Sequence, residues 1–272
     1  MTEEPTASYT TGASKGKGTD LVQRDDEYYM ESNFVVFQVE NKLFRIPTYL
    51  LAKESQFFGG MFMLPPPAGD DVEGSSPTNP IILPDEFRSE DFKNLMKALY
   101  PKSISLRLSL LKSEWVSILK LSTKWYFLKL RAMAILELNS MQELTSIEKI
   151  TLGRENKILS WVTAGFLDLA QREATITDDE ALAVDLNYIT TAYRLFRVRE
   201  RRITKMSASV LLEIEENFKN ELDAIRTEEK GFKGPDVEIA FEFTAPIQPW
   251  NYFEDQSPPS PPSIPNTAGS FW

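Results

Sequence analysis

The chain has 272 residues, of which 42% are apolar and 26% charged, a composition typical of a protein with a folded core. Its 30 basic and 40 acidic residues give a formal net charge of −10, which disfavours direct binding to nucleic acid or anionic membranes. Cysteine and histidine are both absent, which excludes disulfides, thiolate nucleophiles, a histidine base and the usual ligands of structural zinc. We therefore predict a protein that is not an enzyme, with no catalytic residue, no metal site and no cofactor.

The N-terminal region is polar and rich in Thr, Ser, Gly and Lys over residues 1–20, without the pattern of a signal peptide. No run approaches the roughly 20 apolar residues of a membrane helix. We predict a disordered leader over 1–26, no membrane association, and a location in the cytoplasm or the nucleus.

Two apolar segments, 34–39 and 43–46, flank the polar turn Glu40-Asn41-Lys42 and predict a β-hairpin. Pro47 suits the start of a helix, because its fixed φ matches the first turn. Beyond it, apolar residues recur at helical spacing and predict two short helices that are broken near Ser55.

The segment 65–79 is rich in Pro, Gly, Ser and Asp and predicts a surface loop. The apolar run 81–83 predicts a short buried strand. Ser89 is then expected to cap a helix with Glu90 and Asp91 in its first turn, and Pro101 should end that helix.

From Leu110 onward the pattern is helical. Trp115, Trp125 and Tyr126 fall on one apolar stripe, and Thr145 and Thr177 each begin a capping-box pattern. The last helix is predicted over about 205–226. The segment 237–243 alternates apolar and polar residues as a half-buried strand does, and 246–272 is a Pro- and Ser-rich stretch predicted to be a disordered tail.

Taken together, these motifs resemble the BTB/POZ domain, in the variety common in mushroom-forming fungi. The residues that carry the resemblance are Ser32-Asn33-Phe34-Val35-Val36-Phe37-Gln38-Val39-Glu40, Leu43-Phe44-Arg45-Ile46-Pro47, Leu50-Leu51-x-x-x-Ser55-x-x-Phe58-x-x-Met61-Phe62-x-Leu64-Pro65, Glu73-Gly74-Ser75-Ser76, Pro80-Ile81-Ile82-Leu83, Asp91-Phe92, Leu99-Tyr100-Pro101 and Glu114-Trp115 with Leu119-x-Leu121-Ser122-x-x-Trp125. Their order and spacing cover about half of the chain, from Tyr28 to Leu138.

The resemblance implies an α+β fold, with a small mixed sheet flanked by helices over 27–138. It also implies an all-α, BACK-like extension over 139–232, followed by a short strand-like segment and the tail over 233–272. The implied function is protein–protein interaction, with homodimerisation and recruitment of a partner. The candidate interaction surface comprises Phe34, Phe37, Phe44, Phe58, Met61 and Phe62. Of these, Phe34, Phe37 and Phe44 are expected mostly in the core, and any that points outward near the hairpin could contact a dimer partner.

Two further functions are implied by well-known relatives, which bridge substrates to a cullin ubiquitin ligase or act in transcriptional complexes. The hydrophobic-x-Glu contact that favours cullin docking has no clear counterpart here, because the 65–79 loop occupies that region. The resemblance therefore leaves a cullin partner unsupported. A transcriptional role would need a DNA-binding partner, given the net negative charge.

Several residues allow two interpretations. Trp115, Trp125 and Tyr126 could anchor a partner, but their spacing favours core packing. The basic run of Arg194, Arg197, Arg199, Arg201 and Arg202 could contact phosphate, but interspersed glutamates favour a solvated face with ion pairs. Asp70, Asp71 and Glu73 lack the spacing of a calcium loop.

The tail contains two Pro-x-x-Pro patterns, Pro258 with Pro261 and Pro262 with Pro265. Such segments adopt the extended helix that aromatic grooves recognise. A recognition segment and a featureless tail remain equal alternatives at this stage.

Overall fold

The structure is a computed structural model that describes residues 33–64, 72–102, 108–185, 190–204 and 209–233. The predicted leader, the strand-like segment 237–243 and the Pro-rich tail lie outside the described residues. The predicted α+β class is confirmed, with a three-stranded sheet and helices followed by a helical extension.

The sheet has the strand order β2-β1-β3. Strands β1 (Phe34–Val39) and β2 (Lys42–Pro47) form the predicted hairpin, and β3 (Ile81–Ile82) pairs parallel to β1. Val35, Phe37 and Val39 lie on one face of β1 and are all buried in the first core, whereas Val36, on the opposite face, is buried outside that core. This alternation places one face of the sheet against the core.

The hairpin turn is fixed by a contact with a distant helix. Glu40 has φ of +51°, in the left-handed region that is costly for a residue with a side chain. Its carboxylate accepts hydrogen bonds from the backbone N–H, at 3.1 Å, and from the hydroxyl of Ser89. The Ser89 bonds hold the pKa of Glu40 below its usual value.

This contact corrects the prediction that Ser89 caps its helix. Ser89 is the first residue of helix α3, and Arg88, which precedes it, makes no capping bond through its side chain. The Glu40 carboxylate of the hairpin supplies the acceptor that a capping residue would otherwise provide. A single sequence cannot reveal a cap that comes from 49 residues away.

The helices fall into two groups around two cores. The first group is α1 (Thr48–Glu54), α2 (Gln56–Phe62), α3 (Ser89–Leu99), α4 (Lys112–Lys124) and α5 (Leu128–Met141). The second is α6 (Ser146–Asn156), α7 (Leu159–Gln171), α8 (Asp178–Asp185), α9 (Thr191–Thr204), α10 (Val210–Asn217) and α11 (Lys219–Glu229). A short 3-10 helix, Lys230–Phe232, follows α11.

An aromatic cluster forms the centre of the first core. The ring of Phe58 lies 5.9 Å from Phe37 and 5.4 Å from Trp125, measured between centroids. Phe92 completes the cluster at 5.5 Å from Phe37 and 5.9 Å from Trp125. These separations fall within the range of favourable aromatic pairs, so the sheet, α2, α3 and the end of α4 are bound through one group of rings.

Ser55 joins two of these elements through its side chain. It is the residue between α1 and α2, and its hydroxyl oxygen accepts the N–H of Phe58 at 3.1 Å. The same hydroxyl donates to the backbone carbonyl of Trp125 at 2.6 Å. The predicted break near Ser55 is thus confirmed.

Helices α6 and α7 contribute to both cores. Leu152 and Trp161 pack into the first core, whereas Ile150 and Phe166 pack into the second. The indole N–H of Trp161 also donates to the side-chain oxygen of Asn139 at 2.8 Å. The two cores are therefore continuous through one helix pair, and the predicted boundary at 138/139 does not coincide with a linker.

The close approach of α6 and α7 depends on two glycines. A Cβ at Gly153 would lie 2.7 Å from a methyl of Val162, and one at Gly165 would lie 2.7 Å from the carbonyl oxygen of Ser146. Both separations are shorter than real side chains allow, so these positions require glycine.

The prediction of one continuous last helix over about 205–226 is wrong. Residues 205–208 lie outside the described part, and the rest forms α10 and α11 with a break at Phe218. Phe218 is buried in the second core, where its ring stacks at 4.3 Å on Phe166. Its φ of −113° and ψ of 15° depart from helical values, which separates the two helices at a buried residue.

The 3-10 helix returns the chain to the first core. The ring of Phe232 stacks on Tyr126 at 5.4 Å, and the guanidinium of Arg131 lies 4.4 Å from the Phe232 centroid. Arg131 is buried and donates to the carbonyls of Asn156 and Lys157 at 2.9 and 3.2 Å. Burial lowers its pKa to about 10, so it stays charged at neutral pH. We call Phe232, Tyr126 and Arg131 the C-terminal clamp.

We predict that Ser55→Ala destabilises the protein by about 1–3 kcal/mol, because it removes a helix cap and leaves the buried Trp125 carbonyl unpaired. Urea unfolding followed by circular dichroism measures the change. Ser140→Ala is the matched control, since Ser140 is an exposed helical serine that bonds within its own helix. Equal stability of the two variants would contradict a bridging role for Ser55.

We also predict an acid-dependent contribution from Glu180, whose capping-box prediction is confirmed. Bonds from Arg172 lower the pKa of Glu180 to about 2. Because the folded pKa is depressed, this stabilisation is complete above about pH 4.5 and is lost as the pH falls toward 2.

The measurement is the unfolding free energy of the wild type and of Glu180→Gln between these pH values. We expect the variant to be less stable by about 1 kcal/mol at neutral pH, since the pair is partly exposed, with the difference vanishing near pH 2. Glu173→Gln, an exposed carboxylate nearby, serves as the control. A constant difference at every pH would exclude the ion pair as its cause.

Candidate protein-interaction surface

The six predicted surface residues separate into core and surface positions. Phe37 and Phe58 are fully buried in the aromatic cluster and cannot contact a partner in the folded protein. Three others, Phe44, Met61 and Phe62, are partly buried against the same core. Phe34 is half-exposed, with 50% of its surface accessible.

Phe34 belongs to an apolar face of the sheet directed away from the core. Leu43 and Ile82 are both in register with Gln38, one from each side, so their side chains lie on the same face as Gln38. Phe34 precedes Gln38 by four residues on β1 and shares this face. Phe34, Leu43 and Ile82 are 50%, 53% and 66% exposed. We call these three residues the outer face.

One cation accompanies the outer face. Arg45 of β2 is in register with Val36 of β1. Its guanidinium lies 4.4 Å from the centroid of the Phe34 ring. This cation–π contact holds the ring against the sheet. Aromatic and arginine side chains are enriched at protein–protein interfaces, whereas a small-molecule site needs a concave pocket. The chemistry of this face therefore suits a protein partner.

The alternative anchor residues are mostly structural. Trp115 and Trp125 are buried, which confirms the core interpretation for both. Tyr126 is partly exposed and has φ of +54°, and its ring contacts Phe232 in the C-terminal clamp. The clamp was missed from the sequence, because the short segment around Phe232 carries no periodic pattern.

The basic run of α9 binds neighbouring helices. Arg199 donates to the carbonyls of Leu169 and Ala174, the latter at 3.0 Å, and Arg202 donates to that of Gln171. These acceptors surround the C-terminal end of α7, where unpaired carbonyls favour positive charge. Arg201 forms an ion pair with Glu213 at 2.8 Å. The ion-pair interpretation is confirmed for Arg201, and the run has an additional capping role that the sequence did not reveal.

The remaining candidates offer no site in the described part of the chain. Asp70, Asp71 and the tail prolines Pro258, Pro261, Pro262 and Pro265 lie outside the described residues, and Glu73 is exposed. Within 33–64, 72–102, 108–185, 190–204 and 209–233, no group of three or more acidic side chains could hold a metal ion. Over those same ranges, no helix has the length and apolar character to cross a membrane.

A comparison with protein families gives a match to the BTB/POZ domain over residues 32–139. A search of curated proteins found no significant match to the chain. The matched residues contain the whole sheet and all of helices α1 to α4, and they reach into α5. Residues 32–139 are thus a BTB/POZ domain, a module for protein–protein interaction.

Proposed function

We propose that this chain is a non-enzymatic interaction protein whose BTB/POZ domain forms a homodimer through the outer face. The observation that supports this proposal is the exposure of Phe34, Leu43 and Ile82 on adjacent strands. Large apolar side chains grouped on one surface are costly in water and mark interaction sites. In a two-fold symmetric dimer, the same three residues of both protomers would be buried in the interface.

The helical extension is proposed to recruit a second partner. On α9, Tyr193 and Phe196 lie three residues apart and are both exposed, so their rings share one side of the helix. The guanidinium of Arg197 lies 5.9 Å from the Tyr193 ring. Exposed aromatic rings beside an arginine form the kind of anchor that dominates binding energy at interfaces.

Two points stay predictions from the sequence: the location in the cytoplasm or nucleus, and the resemblance to the fungal variety of the domain. A direct role on nucleic acid is not proposed. The net charge is −10, and Arg199, Arg201 and Arg202 are engaged by the helices around them. Cullin docking is also not proposed, since the region that would carry it overlaps residues 65–71, outside the described part.

Replacing Phe34 and Leu43 together by glutamate should dissociate the dimer, because four charges would enter the interface of two protomers. We expect the dimer dissociation constant to rise by about a hundredfold or more. Analytical ultracentrifugation over a range of protein concentrations measures it. The matched control is Phe57→Glu with Leu64→Glu, two exposed apolar residues of α2 and the segment after it.

Two outcomes would contradict this dimer. One is a wild-type chain that stays monomeric at every concentration. The other is a dissociation constant that the Phe34 and Leu43 substitutions leave unchanged, or that the control raises equally. Circular dichroism of each variant shows whether the fold is retained.

Tyr193→Ala with Phe196→Ala should abolish or strongly reduce recovery of the extension's partner, by about tenfold or more for two anchor residues. The measurement is quantitative affinity purification from cells with mass spectrometry, using the full chain. Phe57→Ala is the control, and a chain ending after Phe253 separates the contribution of the Pro-x-x-Pro tail. Partners recovered equally with the double variant would contradict the role of α9.

A further inference from the structure

Strand β2 has an outer edge whose backbone groups point away from the sheet. On β1, the N–H of Val36 donates to Gly74 at 2.8 Å and the carbonyl of Gln38 accepts from Leu83 at 2.9 Å. These two residues face away from β2, so Val35, Phe37 and Val39 make the ladder bonds to β2. Their partners on β2 alternate with Leu43 and Arg45.

Leu43 and Arg45 therefore direct their N–H and C=O groups outward from β2. Among the residues that the structure describes, none bonds to these groups. The edge ends at Pro47, which has no N–H and whose carbonyl accepts the hydroxyl of Tyr100. An open edge of this kind accepts another strand unless something covers it.

The side chains of β2 define what a covering strand must carry. Phe44 and Ile46 face the core but are only partly buried, so an apolar neighbour on that side would complete their burial. On the opposite face, Arg45 is in register with Val36 of β1 and is exposed and cationic. A suitable strand is thus apolar on one face and acidic on the other.

Residues 237–243 have this pattern. Val237, Ile239, Phe241 and Phe243 occupy alternate positions, with Glu238, Ala240 and Glu242 between them. In a strand, the first set would lie beside Phe44 and Ile46 while the glutamates would lie on the face of Arg45. Asp236 adds a third acidic side chain next to the segment.

The C-terminal clamp, after which this segment follows in the sequence, lies near the helix that leads back to β2. Phe232 contacts Tyr126, and Ser55 at the end of α1 bonds to the adjacent Trp125. Helix α1 has seven residues and spans about 10 Å from there back to the end of β2. Four residue steps from Lys233 to position 237 reach about 14 Å when extended.

We propose that residues 237–243 pair with the outer edge of β2 of the same molecule as a fourth, antiparallel strand. The orientation follows from the clamp, because the segment enters at the Pro47 end of β2 and runs toward Lys42. The tether raises its local concentration at the edge, so it excludes strands of other proteins from this site. This proposal does not rest on the homodimer, which uses the outer face of the sheet and not its edge.

The absence of native cysteine allows a clean cross-linking test in the full chain. Arg45→Cys is combined in turn with Glu238→Cys, Ala240→Cys, Ile239→Cys or Phe241→Cys, and mild oxidation is followed by non-reducing electrophoresis. Residues on one face of paired strands lie within the distance that a disulfide needs, and residues on opposite faces do not. We expect an intramolecular disulfide with position 238 or 240 and little with 239 or 241.

Three results would overturn the proposal: no disulfide at any position, equal yields at all four, or disulfides found only between two molecules. The last result would assign the segment to the edge of a neighbouring chain. The proposed dimer is judged separately, by the outer-face variants.

Amide hydrogen exchange gives a second measurement without cysteines. The amide of Arg45 should exchange about tenfold faster or more after Glu238→Pro with Ala240→Pro, because residues on the face of Arg45 form the ladder bonds to it and proline removes them. The control is Thr267→Pro with Gly269→Pro, and the Phe44 amide, which pairs with β1, is the internal reference. An Arg45 amide that exchanges as an unprotected group in the wild type would contradict the pairing.

Discussion

The bond from the Ser55 hydroxyl to the Trp125 carbonyl holds together parts of the chain that are 70 residues apart. On one side of it lie the hairpin and the two short helices, and on the other lies the helical hairpin of α4 and α5. The rings of Phe58 and Trp125 meet directly beside this bond, so a polar contact and an aromatic contact fix the same junction. Burial excludes water from the hydroxyl, which makes an unpaired carbonyl there costly and the geometry specific.

The helical extension is joined to the BTB/POZ domain by packing and not by a linker. Trp161 fills the first core from α7, while Gly153 and Gly165 let α6 and α7 approach closely enough to share both cores. The C-terminal clamp forms a second junction, because Phe232, which follows the helices of the second core, packs on Arg131 of the first group of helices. Relative movement of the two parts would expose apolar surface at both junctions, which favours a rigid arrangement of the outer face and α9.

Much of this fold could be predicted from residue patterns, because its elements have local signals. The hairpin, the break at Ser55 and the capping boxes at Thr145 and Thr177 depend on neighbouring residues and were predicted correctly. The Glu40 cap on α3, the arginines at the end of α7 and the break at Phe218 depend on distant partners. The candidate surface shows the same limit: aromatic spacing identified Phe34 and Phe37 together, and only the register of the sheet separates the exposed ring from the buried one.

The sheet presents two different opportunities for association, and their chemistry separates them. The outer face offers side chains, so it suits a flat apolar partner such as a second copy of the same face. The edge of β2 offers backbone groups, which any strand can satisfy and which therefore discriminate poorly between partners. An interaction protein gains specificity if the unselective edge is covered from within and the selective face is left open. The proposed fourth strand, 237–243, has the alternation and the glutamates that such a cover requires, and it follows the clamp closely along the chain.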